Sequence, residues 1–523
     1  MYLNVKSESR EEANEESENH VQQSMEMQSV DVETKDTNNR EKNGTITEPM
    51  LKHVTISQEG HKLFQYLCTI IAGLMAMQSG MTLGWSSPML YYLEKSSSFL
   101  GGLNGTDESW VSSLMPLGAI LGAVPSGMLA DYIGRKPAIM ITAIPFLISW
   151  IMLIFLRSFE SILTARFIGG IGSGAACVLV PTYIGEVAEP SIRGALGSFF
   201  PLLFSTGIVF IYIVGALVDY TLANVLCCAM LIPFTLMIPF LPESPYWLVQ
   251  KHCTQSAEKS LKILRGKQHD IKRELTTLRE EAYRVGKRRG GFRDLIGTRA
   301  GRKAILTCIG LMWFQQMCGI DALLFYTVSI FNDAGSTIEA HLATIIIGII
   351  EVVMAIVVAI VIDKFGRKPL LVLSGSSMSI CLGVLGYYFM LKDSDYDVTS
   401  IGWVPLTCLS LFNVTFSVGY GSVPFAVISE LFPPETKGVA ISTSIIVNWS
   451  LVFLVTKLYP IMIASPIKSH GTFWLFSSMT ALSAIFGYFL VPETKGKTLQ
   501  EIQTKLKYGK VRIDKVLTTI QAA

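Results

Sequence analysis

Twelve stretches of about 20 mainly apolar residues recur along the chain, each long enough to cross a hydrocarbon layer as a helix. Six lie near residues 64–85, 110–130, 138–156, 162–183, 196–218 and 222–241. Six more lie near 304–331, 341–362, 369–391, 401–428, 438–460 and 472–491. Each is mainly apolar along its whole length, so the pattern predicts a helix that spans a membrane. Residues 242–303 differ: they are charged and helix-forming, as in "KRELTTLREEAYRVGKRR", and predict a helical loop outside the membrane. Residues 1–63 are acid-rich and lack the content to bury a core, which predicts a disordered cytoplasmic tail. The organisation is a tail at 1–63, a six-helix bundle at 64–241, a cytoplasmic helical loop at 242–303, a second six-helix bundle at 304–491, and a cytoplasmic tail at 492–523.

Composition supports a membrane protein. Of 523 residues, 50% are hydrophobic and only 16% charged, too little charge to cover a soluble protein of this size. The first apolar stretch begins near Phe64, too late for a cleaved leader, so it is expected to remain as a span. The nine cysteines show no C-x-x-C spacing; neither a disulfide framework nor a metal site is expected.

Orientation follows from Lys and Arg. They crowd the central loop and the short "GRKP" loops, which the positive-inside tendency places in the cytoplasm. An even number of spans then puts both termini inside. Asn104-Gly105-Thr106, a glycosylation sequon, falls in the first outer loop, so Asn104 is a candidate acceptor on the outer surface.

Charged phrases recur in matching order. "DYIGRKP" at 131–137 returns as "DKFGRKP" at 363–369. Glu186 precedes Arg193-Gly194 by seven residues, as Glu430 precedes Lys437-Gly438. "LPESP" closes the first six spans and "VPETKG" the second six. Two matched halves flanking a central site is an arrangement of secondary transporters that rock one half against the other. The repeated charges then read as cytoplasmic latches that form when the inner side shuts and break when it opens: Asp131, Arg135, Arg166, Glu186 and Arg193 in the first half, and Asp363, Arg367, Glu430 and Lys437 in the second. Topology alone would need the cations but not the acids at fixed offsets.

From 64 to 505 the chain resembles the sugar porters of the major facilitator superfamily. The resemblance rests on "GMLADYIGRK", "RFIGGIGSG", "GEVAEPSIRGALGS", "PESP", "WFQQMCGIDALLFYT", "DKFGRK", "ELFPPETKG", "NWS" and "PETKGKTLQEI". "TLGWSSPML" is similar to the matching stretch of insect facilitated trehalose transporters. The resemblance implies a small-molecule sugar as substrate, no cofactor and no nucleic acid. One chain supplies both halves, so a monomer in a lipid bilayer suffices. It also implies that Gln315 and Gln316 of the seventh span and Asn448 and Trp449 of the eleventh bind sugar. Phe425 falls where glucose facilitators carry a Trp, and Tyr326 falls at an outer-gate tyrosine.

The chemistry agrees, because amides both donate to and accept from hydroxyls. Gln315 and Asp321 are six residues apart, roughly 240° around an ideal helix. Both can face one cavity only if the helix unwinds, and Gly319 permits that. "VGYGSVP" at 418–424 should break the tenth span likewise, and interrupted helices mark midplane sites. A lone amide in a span is otherwise often helix–helix glue.

Several positions depart from the family. Asp321 stands where sugar porters usually have Asn, and Glu351 where glucose facilitators have Asn. Pro201 replaces a sugar-binding Gln, and Tyr246 follows "PESP" in place of Arg. A carboxylate at the bilayer centre costs roughly 2.5–3.5 kcal/mol on insertion scales, so Asp321 and Glu351 need a role or a partner. They could share a proton, bind a cationic solute, or hydrogen-bond a sugar as neutral acids.

Three readings follow. The first is a plasma-membrane facilitator of trehalose or a hexose. The second is a proton-linked carrier of a sugar or cationic solute using Asp321 and Glu351; the family's symporters place an Asp in the first span, and 64–85 contains no acid. The third is a non-transporting sugar sensor, for which the tails are short. No nucleophile–base set, ATP-binding loop or H-E-x-x-H motif is present, so an enzyme is not expected.

Overall fold

The computed structural model describes residues 62–95, 98–266, 270–286, 291–362 and 364–508. Most of the expected N-terminal tail, and 509–523 of the C-terminal one, lie outside this set. Twelve helical segments are long and apolar enough to cross a membrane, six before the central loop and six after it. The second span (Gly105–Ile133) packs on the eleventh (Thr436–Ala464), and the fifth (Arg193–Leu217) on the eighth (Ala340–Val361), across the boundary between halves.

Small residues bring the helices together. A Cβ on Gly118 or Gly122 would lie 2.0 Å from the carbonyl oxygen of Phe167 or Ile171 in the fourth span (Phe159–Val187). Reciprocally, a Cβ on Gly170 or Gly174 would lie 2.0 or 1.9 Å from the Met115 or Ala119 oxygen. "GGIGSG" is therefore a contact stripe of backbone against backbone, the small-residue mode of packing that membrane helices use.

Several spans run longer than the apolar pattern suggests, among them the first, seventh and tenth, each through a break. The first is Lys62–Glu94, interrupted at Trp85 between Lys62–Gly84 and Ser86–Glu94. Pro88 and the paired serines dilute its outer end, which hid the extension. The seventh (Arg299–Ala334) breaks at Cys318-Gly319, and the tenth (Thr399–Leu431) breaks between Val418 and Val423. The central loop forms four short helices, Pro245–Gln250, Thr254–Arg265, Ile271–Gly286 and Phe292–Gly297. Arg265 ties them to the membrane bundle: it pairs with Glu274 at 2.8 Å and donates to the Val187 carbonyl at 2.8 Å.

Candidate functional site

The break in the seventh span creates the central cluster. Gly319 takes the left-handed conformation, φ 84°, and a Cβ there would lie 2.5 Å from the Phe476 ring; only glycine meets both conditions. Gln315 and Gln316 end the segment before the break and Asp321 begins the one after it, all three buried. The tenth span supplies the complement. Tyr420 lies in its interruption, and the residue four positions on, Pro424, has no N–H to offer the Tyr420 carbonyl. Gln315 fills that gap: its Nε2 donates to the Tyr420 oxygen at 2.8 Å. Its Oε1 accepts from Asn448 Nδ2 of the eleventh span at 3.2 Å. One amide thus joins three helices, two of them broken.

Other expected site residues are placed differently. Trp449 is buried beside Asn448, whereas Phe425 is 49% exposed, beyond the tenth-span break. Glu351 lies midway along the eighth span and accepts from Ser205 Oγ of the opposite half at 3.0 Å. No hydrogen bond joins it to Asp321, and its partner is a serine across the boundary. Among the described residues of the seventh and eighth spans, three buried acceptors have no hydrogen-bond partner: Gln316 Oε1, Asp321 Oδ2 and Glu351 Oε2. Each such atom is costly in a low-dielectric interior unless a donor reaches it.

The end of the bundle that carries Asn104 is joined across the halves. Tyr326 departs from helical geometry, φ −125° and ψ 20°, and its hydroxyl donates to the Thr456 carbonyl at 3.0 Å. On either side of this kink, Val328 N–H donates to Ser87 Oγ at 3.1 Å and Leu324 C=O accepts from the Tyr212 hydroxyl at 2.8 Å. These are the two backbone groups that an undistorted helix pairs with each other. Hydroxyls of the first half take them over. Lys457 adds a bond to Ser109 Oγ at 2.9 Å and lies 3.4 Å from the Trp110 ring centre. Ser87, Tyr212, Ser205 and Lys457 were not singled out from sequence; lone hydroxyls on apolar helices carry no periodic signal, whereas Lys457, a cation inside the eleventh span, was a signal in itself.

At the opposite end the duplicated charges assemble within each half. Arg135 pairs with Asp131 at 3.0 Å and with both oxygens of Glu186, the closest at 2.8 Å, while Ser244 Oγ also donates to Glu186. Arg367 pairs with Glu430 at 2.9 Å. Each arginine also donates to the carbonyl five residues before it, Ala130 or Ile362. The acids of the closing phrases, missed above although the repeat contains them, cap the third and ninth spans. Glu243 accepts from the backbone N–H groups of Arg135 and Lys136, and Glu493 from those of Arg367 and Lys368. Helix N-termini offer such orphan donors and favour an anion. Burial pushes the Glu493 carboxyl up, yet the N–H groups of Lys495, Lys368, Arg367 and Thr494 together hold it below its ordinary value.

Three latch assignments need correction, and a fourth lies outside the described residues. Arg166 is at the other end of the half: it lies twenty residues before Glu186 on one continuous helix, about 30 Å along the axis. There, fully buried, it donates to the Thr82 and Val111 carbonyls and to Ser86 Oγ, with Trp85 stacked on it. It clamps both sides of the first-span break. Arg193 is exposed, reaches only the Ala188 carbonyl, and takes no carboxylate partner. Lys437 forms no ion pair with Glu430, whose pair is made by Arg367. Asp363 is the residue not described. Asn104 is exposed at the start of the second span.

This fold and site belong to a membrane carrier. A family model described as "Sugar (and other) transporter" matches residues 64–506, and the chain belongs to that family. It is similar to the facilitated trehalose transporter Tret1 of Bombyx mori, 37% identical over 458 residues, 86% of this chain and 89% of that protein. The protein of the same name from Polypedilum vanderplanki is 36% identical over 451 residues, 86% of this chain and 89% of that one. Among solved structures, the major facilitator superfamily proton:xylose symporter XylE bound to 6-bromo-6-deoxy-D-glucose matches with TM-score 0.70 and 25% identity, over 85% of this chain and 99% of that one. The inward-open form of XylE from E. coli matches with TM-score 0.70, over 84% and 99%. The architecture is the major facilitator fold, twelve helices in two six-helix halves. Its work is transport, not enzyme catalysis.

Proposed function

We propose that this chain moves trehalose or a hexose across the plasma membrane down its gradient, by alternating access, with both termini in the cytoplasm and Asn104 glycosylated outside. One observation carries this reading: the Gln315 amide bridges Tyr420 and Asn448 where two broken helices meet a third. Such a junction presents donors and acceptors on backbone freed from helical pairing, suited to polyhydroxylated solutes. Gln316, Asp321 and Glu351 add buried acceptors that sugar hydroxyls can satisfy. Trp449 and Phe425 supply apolar faces for the C–H side of the ring. Tyr326 acts as the outer gate. Asp131, Arg135, Glu186, Asp363, Arg367 and Glu430 act as the cytoplasmic one, strengthening each half as a rigid body. Arg166, the exposed Arg193 and Lys437, which forms no ion pair with Glu430, are left out of that gate.

A proton-linked carrier is the second reading. It is favoured by two acids at mid-depth, each with an unpartnered oxygen. Against it, the buried Arg166 cation is held by carbonyls, a hydroxyl and a ring, with no carboxylate that a proton could release. Uptake of labelled trehalose and glucose into oocytes, recorded with membrane current at two pH values, tests both. Uptake without current supports the facilitator. Inward current that grows as pH falls supports the carrier.

A further inference from the structure

A cavity of about 800 Å³ opens at the end of the second half that carries the Arg367–Glu430 pair, away from the sugar site. It lies between the start of the seventh span, the end of the twelfth (Lys468–Phe489), the start of the ninth (Arg367–Asp393) and the helix Leu499–Tyr508. Two kinds of side chain line it. Lys303, Lys368 and Lys505 supply three cations, and no Asp or Glu is among the described residues that line it. Leu306, Tyr488, Phe489 and Leu490 supply an apolar wall, all four mostly exposed. Lys368 Nζ lies 4.8 Å from the Tyr488 ring centre, so the charge is held at the rim of the apolar part. Glu493, the nearest acid in sequence, is engaged by backbone N–H groups of Arg367 and Lys368.

We infer that this cavity is a binding site for an anionic phospholipid of the cytoplasmic leaflet. The reading rests on the sidedness proposed above. Charge complementarity selects an anion, and each Lys near an anionic headgroup contributes on the order of 1 kcal/mol, a factor of about five. The apolar wall selects a lipid over a free phosphate. Leu306, Phe489 and Leu490 lie at the ends of spans, where acyl chains cover them and water would not. The volume fits a substituted headgroup with its glycerol and exceeds what a bare phosphate needs. A lipid held there would tie the ends of the seventh, ninth and twelfth spans to the C-terminal helix, beside the Arg367–Glu430 pair.

Native mass spectrometry of the full-length detergent-solubilised protein tests this. Phosphatidylinositol 4-phosphate, phosphatidylserine and phosphatidylcholine are titrated separately, with inositol 1,4-bisphosphate as the headgroup alone. The expected result is one anionic lipid retained per chain over phosphatidylcholine, weakened roughly tenfold or more by Lys303→Gln with Lys505→Gln. Lys303→Arg with Lys505→Arg should retain binding, as should the loop control Lys259→Gln with Lys272→Gln. Equal binding of phosphatidylcholine, equal binding by the Gln pair, or equally tight binding of the soluble headgroup overturns the proposal. The measurement needs neither sugar nor an oriented membrane, so its failure is distinct from failure of the transport reading.

Discussion

Gln315 is the side chain on which the central cluster turns, because it replaces a backbone hydrogen bond that Pro424 forbids and also meets Asn448. Gln315→Ala should lower uptake tenfold or more while surface expression changes little; unchanged uptake would remove it from the site. Asp321→Asn keeps size and restores the family's usual residue. The facilitator reading expects transport to survive it with the same pH response, and loss of a pH-dependent current would favour proton coupling instead. Arg166 makes a different prediction. Hydrogen bonds to a buried charged group contribute about 1.5–3 kcal/mol each, and lysine cannot reach the three acceptors that the guanidinium spans. Arg166→Lys should therefore lower thermal stability and surface expression more than it changes KM. The adjacent glutamines were legible only through resemblance, since any single amide in a span fits helix glue equally well. Arg166 was legible in principle: the fourth span runs inward, and its residue 166 lies near the outer start. Grouping it with the repeated charges masked that arithmetic.

Individual elements carry the contacts proposed to gate transport. The kink at Tyr326 lies between the Leu324 carbonyl and the Val328 N–H, and Tyr212 and Ser87 of the other half bond to them. Removing one such hydroxyl forfeits about 1 kcal/mol, enough to shift the balance of outer-closed and outer-open states about fivefold. Tyr212→Phe and Ser87→Ala should thus lower the KM for external sugar relative to that for internal sugar; equal KM changes on both sides would mean the bonds serve packing alone. At the other end, Glu493 caps the ninth span. Its depressed folded value means that its contribution is complete above the ordinary Glu value of about 4.3 and is lost as pH falls through the lower folded one. Neutral pH leaves the cap intact, and Glu493→Gln should lower the melting temperature at neutral pH but not in acid. Spans and charged repeats were readable because length and fixed offsets survive in one dimension. Contacts such as Ser205–Glu351 and Lys457–Trp110 were not, because they depend on the register of helices from opposite halves.

At the scale of the whole molecule, two matched bundles meet around one amide junction, with outer bonds crossing between halves and charged clusters bracing each half from within. The Arg135–Glu186 and Arg367–Glu430 pairs are intact while the opposite end is joined, which supports a bracing role within each half beside the proposed gating one. The most direct test is countertransport in proteoliposomes containing the purified chain. With labelled trehalose or a hexose outside and the same unlabelled sugar trapped inside, the account predicts saturable uptake, faster with trapped sugar than without it, no accompanying current, and near-complete loss in Gln315→Ala. Absence of flux for every sugar tried, or flux that no trapped sugar accelerates and Gln315→Ala leaves unchanged, would contradict it.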